Sequence, residues 1–252
     1  MEGWLIWILL APLLGFLINV FAGSRIGRRG VALIACGGVA VSFLLSAGAF
    51  RALLAAGEGG VLTQRLYTWI KAGALSVDFT LRVDPLSALM ILVVTGVGLL
   101  IHIYSVGYMA KDPGYARYFA YLNLFTFSML LLVLGSNLLL LFVGWEGVGL
   151  CSYLLIGFWF ERKSAARAGK KAFIVNRIGD FGFIVGLSLL FWSLGRSGVW
   201  TLDFTTIAAN MEKLGPETIT AIALLLFVGA VGKSAQIPLY VWLPDAMEGP
   251  TP

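Results

Sequence analysis

Residues 138–160 read LLLLFVGWEGVGLCSYLLIGFWF, and this stretch decides the fold class. It carries one charge, Glu146, and as a helix it would be about 34 Å long, enough to cross about 30 Å of hydrocarbon. Working outward, six further apolar runs bounded by charge, Gly or Pro lie at about 4–22, 31–50, 86–109, 116–134, 172–194 and 218–237. The chain has 252 residues, 59% of them hydrophobic and only 12% charged. Its mean hydropathy is +0.91. These values exclude a water-soluble globular domain and predict an all-α polytopic membrane protein of about seven transmembrane helices. The first run has no basic residues before it and no small-residue cleavage site before Arg25, so it reads as a span and not a signal peptide.

The +5 charge comes from 18 Lys and Arg residues distributed between the spans, which argues against a nucleic-acid surface and for a topology signal. Loops after spans one, three and five hold ten: Arg25, Arg28, Arg29, Lys111, Arg117, Arg162, Lys163, Arg167, Lys170 and Lys171. The opposite face holds six, Arg51, Arg65, Lys71, Arg82, Arg196 and Lys213, together with Glu2, Glu58, Asp78, Asp84, Asp203, Glu212 and Glu217. The positive-inside bias therefore places the N-terminus on the outer side. Cys36 and Cys151 both lie inside spans and form no ligand-like cluster, which argues against a disulfide scaffold, a zinc site or a thiolate-held iron–sulfur cluster. One histidine cannot supply two haem ligands.

Two outer segments have structure of their own. Val77, Phe79, Leu81 and Val83 alternate with Asp78, Thr80 and Arg82, so a small extramembrane β-hairpin near 62–83 is expected, turning at Lys71-Ala72-Gly73. Trp200, Leu202, Phe204, Ile207 and Met211 suggest a short interfacial helix. Near the end, Pro238 cannot donate to the Ser234 carbonyl, so the seventh helix is expected to break within a turn of Lys233.

Four ionisable residues remain inside spans after the loops are set aside: Glu146, Arg177, Asp180 and Lys233. Each costs at least about 2.5–3.5 kcal/mol at that depth and so needs a partner or a function. Counting rise along each helix puts Glu146, Asp180 and Lys233 within about 10 Å of one another in depth. A Glu146–Lys233 relay pair is the reading with most chemical content. Opposite charges 4 Å apart attract by about 4 kcal/mol at an effective dielectric near 20, comparable to about 2.3 kcal/mol for moving a charge against 100 mV. The alternatives are a structural carboxylate at Glu146 and a snorkelling lysine at 233. Arg177 and Asp180, three apart, would pair locally and tune or relay. His102 is a weaker fifth candidate, read as a relay or as a hydrogen-bonded interior histidine.

At these residues a family resemblance emerges. The segments DPLS (84–87), HIYSVGYM (102–109), WEGVGLCSYLLIGFW (145–159), NRIGDFG (176–182), GKSAQ (232–236) and WLPDAMEGPTP (242–252) closely resemble the largest antiporter-like membrane subunit of respiratory complex I, the NuoL family of NADH:quinone oxidoreductase. The resemblance implies a proton-translocating chain in a bacterial inner membrane that binds no cofactor itself. FMN, iron–sulfur clusters and quinone would sit in other subunits. Its partners would be other membrane-arm subunits, especially the neighbouring antiporter-like one, together with lipid and protons. It matches Glu146 to the family's glutamate, Lys233 to its broken-helix lysine, and Arg177 and Asp180 to its charged positions on the preceding helix. It further implies an N-terminal unit over 1–110, holding helices one to three and the hairpin, and the first half of an antiporter-like core over 111–252. A second inverted repeat would follow in family members. The competing readings are a subunit of a multisubunit cation/proton antiporter of Mrp type and an inactive structural fragment.

Overall fold

The computed structural model describes residues 3–57 and 59–251. Glu2 and Glu58 of the outer-face charges, and the last proline of the terminal motif, Pro252, lie outside them. Helices α1 (Ile6–Ala56), α2 (Pro85–Tyr108), α3 (Tyr115–Leu134), α4 (Leu138–Ile156), α5 (Lys163–Arg196) and α7 (Pro216–Lys233) are each long and apolar enough to span a membrane. The short α6 (Phe204–Ala208) lies between α5 and α7.

At 51 residues α1 would be about 77 Å long if straight, more than twice the hydrocarbon thickness. Instead it reverses at Gly27, whose φ of 70° and ψ of 170° lie in a region that only glycine occupies without strain. The two arms, residues 6–26 and 28–56, fold back on each other and correspond to the first two spans expected from the sequence. Asn19 Nδ2 donates to the Val31 carbonyl at 3.5 Å, and the bare Cα of Gly38 faces the Ala11 carbonyl.

The tightest clasp between the arms follows from a proline. Pro12 has no N–H, so the Ile8 carbonyl loses its helical partner at membrane depth. Buried Ser42 fills the gap, its Oγ donating to Ile8 O at 2.6 Å.

The hairpin forms as expected. Strand β1 (Leu62–Ala72) pairs antiparallel with β2 (Leu75–Val83), and the turn passes through Gly73 at φ 58°. Val77, Leu81 and Val83 are buried, and Phe79 is half-buried. The segment between α3 and α4 extends this seam: Ser136 N–H donates to Thr80 O at 3.1 Å, and Asn137 Nδ2 to Asp78 O at 2.9 Å. Asn137 in turn bridges to Asp203, while Leu138 N–H donates to Leu202 O at 2.9 Å. Trp200 and Leu202 thus belong to an extended stretch and not to an interfacial helix; only Phe204–Ala208 is α-helical, with a 3₁₀ turn at Met211–Lys213. Backbone pairing to 136–138 outcompetes helix formation there, and Trp200 packs on the bare Cα of Gly195.

Side chains and carbonyls tie the opposite end. Arg28 donates to the Ala110 and Asp112 carbonyls, Trp159 Nε1 to Asp112 Oδ2 at 2.8 Å, and Lys171 pairs with Asp245 at 2.8 Å. Two boundaries differ from the sequence reading. Helix α4 stops at Ile156, and Phe158 and Phe160 instead flank Arg117, whose guanidinium carbon lies 4.5 and 4.8 Å from their ring centres. Helix α5 starts about two turns before its apolar run, carrying Lys170 and Lys171 on helical backbone.

Replacing Ser42 by Ala should destabilise the subunit in detergent by about 1–3 kcal/mol, since the Ile8 carbonyl is then unsatisfied. Pro12→Ala in the same background restores an N–H at position 12 and should recover most of that loss in a double-mutant unfolding cycle. Gly27→Val should cost about 1–3 kcal/mol through backbone strain alone, read from the same unfolding curves.

Candidate functional site

The Asn137 side chain caps α4, accepting from Leu140 N–H at 2.9 Å, and so fixes where Glu146 stands two turns later. Gly144 and Gly147 on the same helix let α3 approach through Leu132 and Ser128. Helix α5 packs against both α4 and α7. Its contact with α7 is built on small residues: a Cβ on Gly179 would lie 3.1 Å from Gly232 Cα, and one on Gly229 would lie 2.8 Å from Phe183 Cβ. This close approach brings the end of α7 against the charged turn of α5.

Helix α7 breaks after Lys233, as its sequence predicts. Ala235 sits at φ 50°, Gln236 N–H turns back to Val231 O at 3.0 Å, and Trp242 Nε1 donates to Gly232 O at 3.1 Å. Polar backbone freed at the break is thereby covered by protein.

The four charges inside the spans form one chain across three helices, with Asp180 buried, Glu146 and Lys233 half-buried and Arg177 exposed. Arg177 Nη1 lies 2.5 Å from Glu146 Oε2 and 3.9 Å from Asp180 Oδ2, and Lys233 Nζ lies 3.6 Å from the same Asp180 oxygen. Asp180 is the hub: its side chain is 2% exposed, and its other oxygen accepts from Trp145 Nε1 at 2.6 Å. Lys233 Nζ also stands 5.8 Å from the Trp145 ring centre and occupies the space a side chain at Gly149 would need, 2.6 Å from its Cβ position. Glu146 Oε1 and Lys233 Nζ are buried without a hydrogen-bond partner among the described residues.

The pairing differs from the one expected. Glu146 and Lys233 do not form an ion pair with each other; Arg177 and Asp180, both on α5, link them. Arg177 pairs more closely with Glu146, on another helix, than with Asp180 on its own. Trp145 and Gly149, neighbours of Glu146 in sequence, complete the site; their roles depend on which element faces them, and no local pattern announces that.

His102 lies elsewhere. It is buried among α1, α2 and α3, with Nδ1 2.7 Å from Gly98 O, Nε2 3.3 Å from Asn123 Oδ1, and Phe119 packed alongside. It shares no ion pair or hydrogen bond with the four charges among the described residues. Cys36 and Cys151 are unpaired.

Chemically, the chain alternates Glu, Arg, Asp, Lys and has a formal charge of zero when all are ionised. Arginine stays protonated, so a proton is gained or lost at a carboxylate or at the amine. One such event leaves a net charge in a low-dielectric site, where a neighbour 4 Å away feels about 4 kcal/mol at an effective dielectric near 20. Protonation at one end therefore biases the contacts at the other.

Residues 135–252 match the family model described as NADH:quinone oxidoreductase/Mrp antiporter, transmembrane, and residues 69–119 match that for the NADH-ubiquinone oxidoreductase (complex I) chain 5 N-terminus. NADH-quinone oxidoreductase subunit L of Mycobacterium tuberculosis is 50% identical over 98% of this chain, and NADH-ubiquinone oxidoreductase chain 5 of Rhizopus stolonifer is 46% identical over 97%. The chain spans 38% and 36% of those relatives' lengths. The structure of the Mrp complex from Dietzia sp. DQ12-45-1b superposes with a TM-score of 0.79 at 26% identity, over 96% of this chain and 25% of that one. With subunit L and chain 5 relatives along nearly its whole length and the antiporter fold in three dimensions, the chain belongs to the antiporter-like membrane subunits of NADH:quinone oxidoreductase.

Proposed function

We propose that this chain forms the first proton-relay unit of a proton-translocating membrane-arm subunit of NADH:quinone oxidoreductase. The observation that carries the reading is the four-member charge chain running from Glu146 through Arg177 and Asp180 to Lys233 at a helix break. Glu146 and Lys233 exchange protons, each responding to the other through Asp180 and Arg177 rather than by direct contact. Arg177 is the fixed cation that keeps two carboxylates in one low-dielectric site. Residues 111–252 form the first half of the relay core, and 1–110 supply its scaffold. Redox chemistry resides in partner subunits of the membrane complex, which drive the relay by altering the contacts of α7 or of the groups facing Glu146.

The N-terminus lies on the outer side in this reading. The two ends of the fold separate the loop cations into ten at the Gly27 end and six at the hairpin end, and the richer end is the cytoplasmic one. The likeness to the Mrp complex supports a second reading, a cation/proton antiporter subunit, in which an ion gradient replaces NADH as the driving force.

In the intact complex reconstituted into vesicles, Lys233→Ala should reduce NADH-driven proton uptake at least severalfold; wild-type uptake would sink the role assigned to Lys233. Uptake that follows a sodium pulse instead of NADH would favour the antiporter reading. Unchanged transport in the double variant Glu146→Gln, Lys233→Met would leave only a structural part for these charges.

The hub position of Asp180 sets an order among single variants. Asp180→Asn leaves the buried Lys233 without its partner, a change that typically costs about 3–5 kcal/mol, whereas Glu146→Gln affects a half-buried carboxylate facing the 44%-exposed Arg177. Asp180→Asn should therefore lower both thermal stability and proton uptake more than Glu146→Gln does, and the reverse order would remove Asp180 from the centre of the relay.

A further inference from the structure

Away from the charge chain, the Gly27 end of the molecule carries positive charge that the described residues do not neutralise. Arg25, Arg28 and Arg29 surround the turn of α1, Lys111 follows α2, and none of the four forms a salt bridge among the described residues. The carboxylate of Asp112 is committed elsewhere, accepting from Gly114 N–H at 2.7 Å and Trp159 Nε1 at 2.8 Å.

Arg28 is held in place. It donates to the Ala110 and Asp112 carbonyls just past the end of α2, and its guanidinium carbon lies 5.9 Å from the Tyr115 ring centre. Arg29 has neither a hydrogen bond nor an ion pair among the described residues, and both arginines border a groove of about 430 Å³. The rest of that groove is apolar, running between the second arm of α1 and α2 past Ala32, Leu33 and Val106, and Leu33 is 74% exposed.

Fixed cations at the membrane-surface end of a groove with hydrocarbon-compatible walls select one class of ligand. A small soluble anion would make no use of the walls, and an apolar helix would leave Arg29 unpaired and the charge of Arg28 uncompensated. A phospholipid with a negative headgroup satisfies both, its acyl chain along Leu33 and Val106 and its phosphate oxygens at the arginine N–H groups. We propose that the α1–α2 groove beneath Arg28 and Arg29 is a binding site for an anionic phospholipid of the leaflet on the arginine-rich face.

The test uses the intact subunit in nanodiscs containing equal phosphatidylglycerol and phosphatidylcholine, with the lipid that stays bound on release counted by native mass spectrometry. The wild type should retain phosphatidylglycerol preferentially, and Arg29→Glu should cut that preference by about fivefold or more, the factor expected for one surface cation. Leu33→Trp, which fills the groove and leaves every charge in place, should lower retention of the lipid as well. Arg51→Glu, at the opposite end of the fold, should change nothing. Unchanged retention in Arg29→Glu or in Leu33→Trp would overturn the proposal, as would an equal loss in Arg51→Glu. Displacement by millimolar inorganic phosphate would overturn it in favour of a free-anion site.

Discussion

A backbone or side-chain polar group that leaves the regular helical pattern inside hydrocarbon must find a partner from another part of the chain, and this requirement organises the molecule. Pro12 breaks one backbone bond, and Ser42 from the returning arm of α1 replaces it. The end of α7 breaks several, and Gln236 and Trp242 replace them. Asp180 is a full charge at depth, and it collects a lysine, a more distant arginine and an indole N–H. At Pro12 and at Asp180 the decisive partners come from another arm or helix, and at the α7 break they come from the residues just beyond it, so polar satisfaction and chain folding go together. The apolar surface keeps the chain in the bilayer but does not select one arrangement there, since lipid solvates leucine as well as a neighbouring helix does.

The small-residue contact of α5 with α7 serves the same end. Bare backbone at Gly179 and Gly232 lets the helices approach closely enough for Lys233 to reach Asp180, and Gly149 on α4 leaves room for its amine. A larger residue at any of these positions would move a charge before it disturbed a hydrophobic contact. Glycine, often an element breaker, here sets the spacing of an ionic site.

Much of this was legible in the sequence, for identifiable reasons. A single glutamate in a 23-residue apolar run and a lysine five residues before Pro238 stand out because hydrocarbon penalises charge so heavily. The hairpin was visible in its period of two and its glycine turn. What escaped was anything set by a third element. Glu146 and Lys233 read as a relay pair at similar depth because depth can be counted along a helix, whereas the groups that link them cannot be found that way. Trp200 and Leu202 read as helical because a few spaced apolar residues fit more than one period, and the backbone partner of Leu202, Leu138, lies more than sixty positions away. Pro12 was visible in its run, but the hydroxyl that answers it is thirty positions on. The helical start of α5 escaped because Lys163 to Lys171 reads as a loop by charge alone, yet it forms the outer turns of a helix whose buried part lies further along.

The two ends of the fold are fastened differently. At the hairpin end, backbone ladders join β2, the 135–138 segment and the 202–204 segment, a cross-linked plate that resists bending. At the other end the ties are mostly side chains reaching single carbonyls or carboxylates, each able to release alone. Helix α7 starts near the plate at Pro216 and carries Lys233 at its far tip, a lever about 27 Å long. Rotating that lever by about 5° about its stiff end displaces the tip by about 2 Å, more than enough to part an amine from a carboxylate now 3.6 Å away. Because the lysine sits at the compliant end, a small shift of the surrounding loops and helix ends reaches Lys233 directly, while the plate holds the other end of α7 in place.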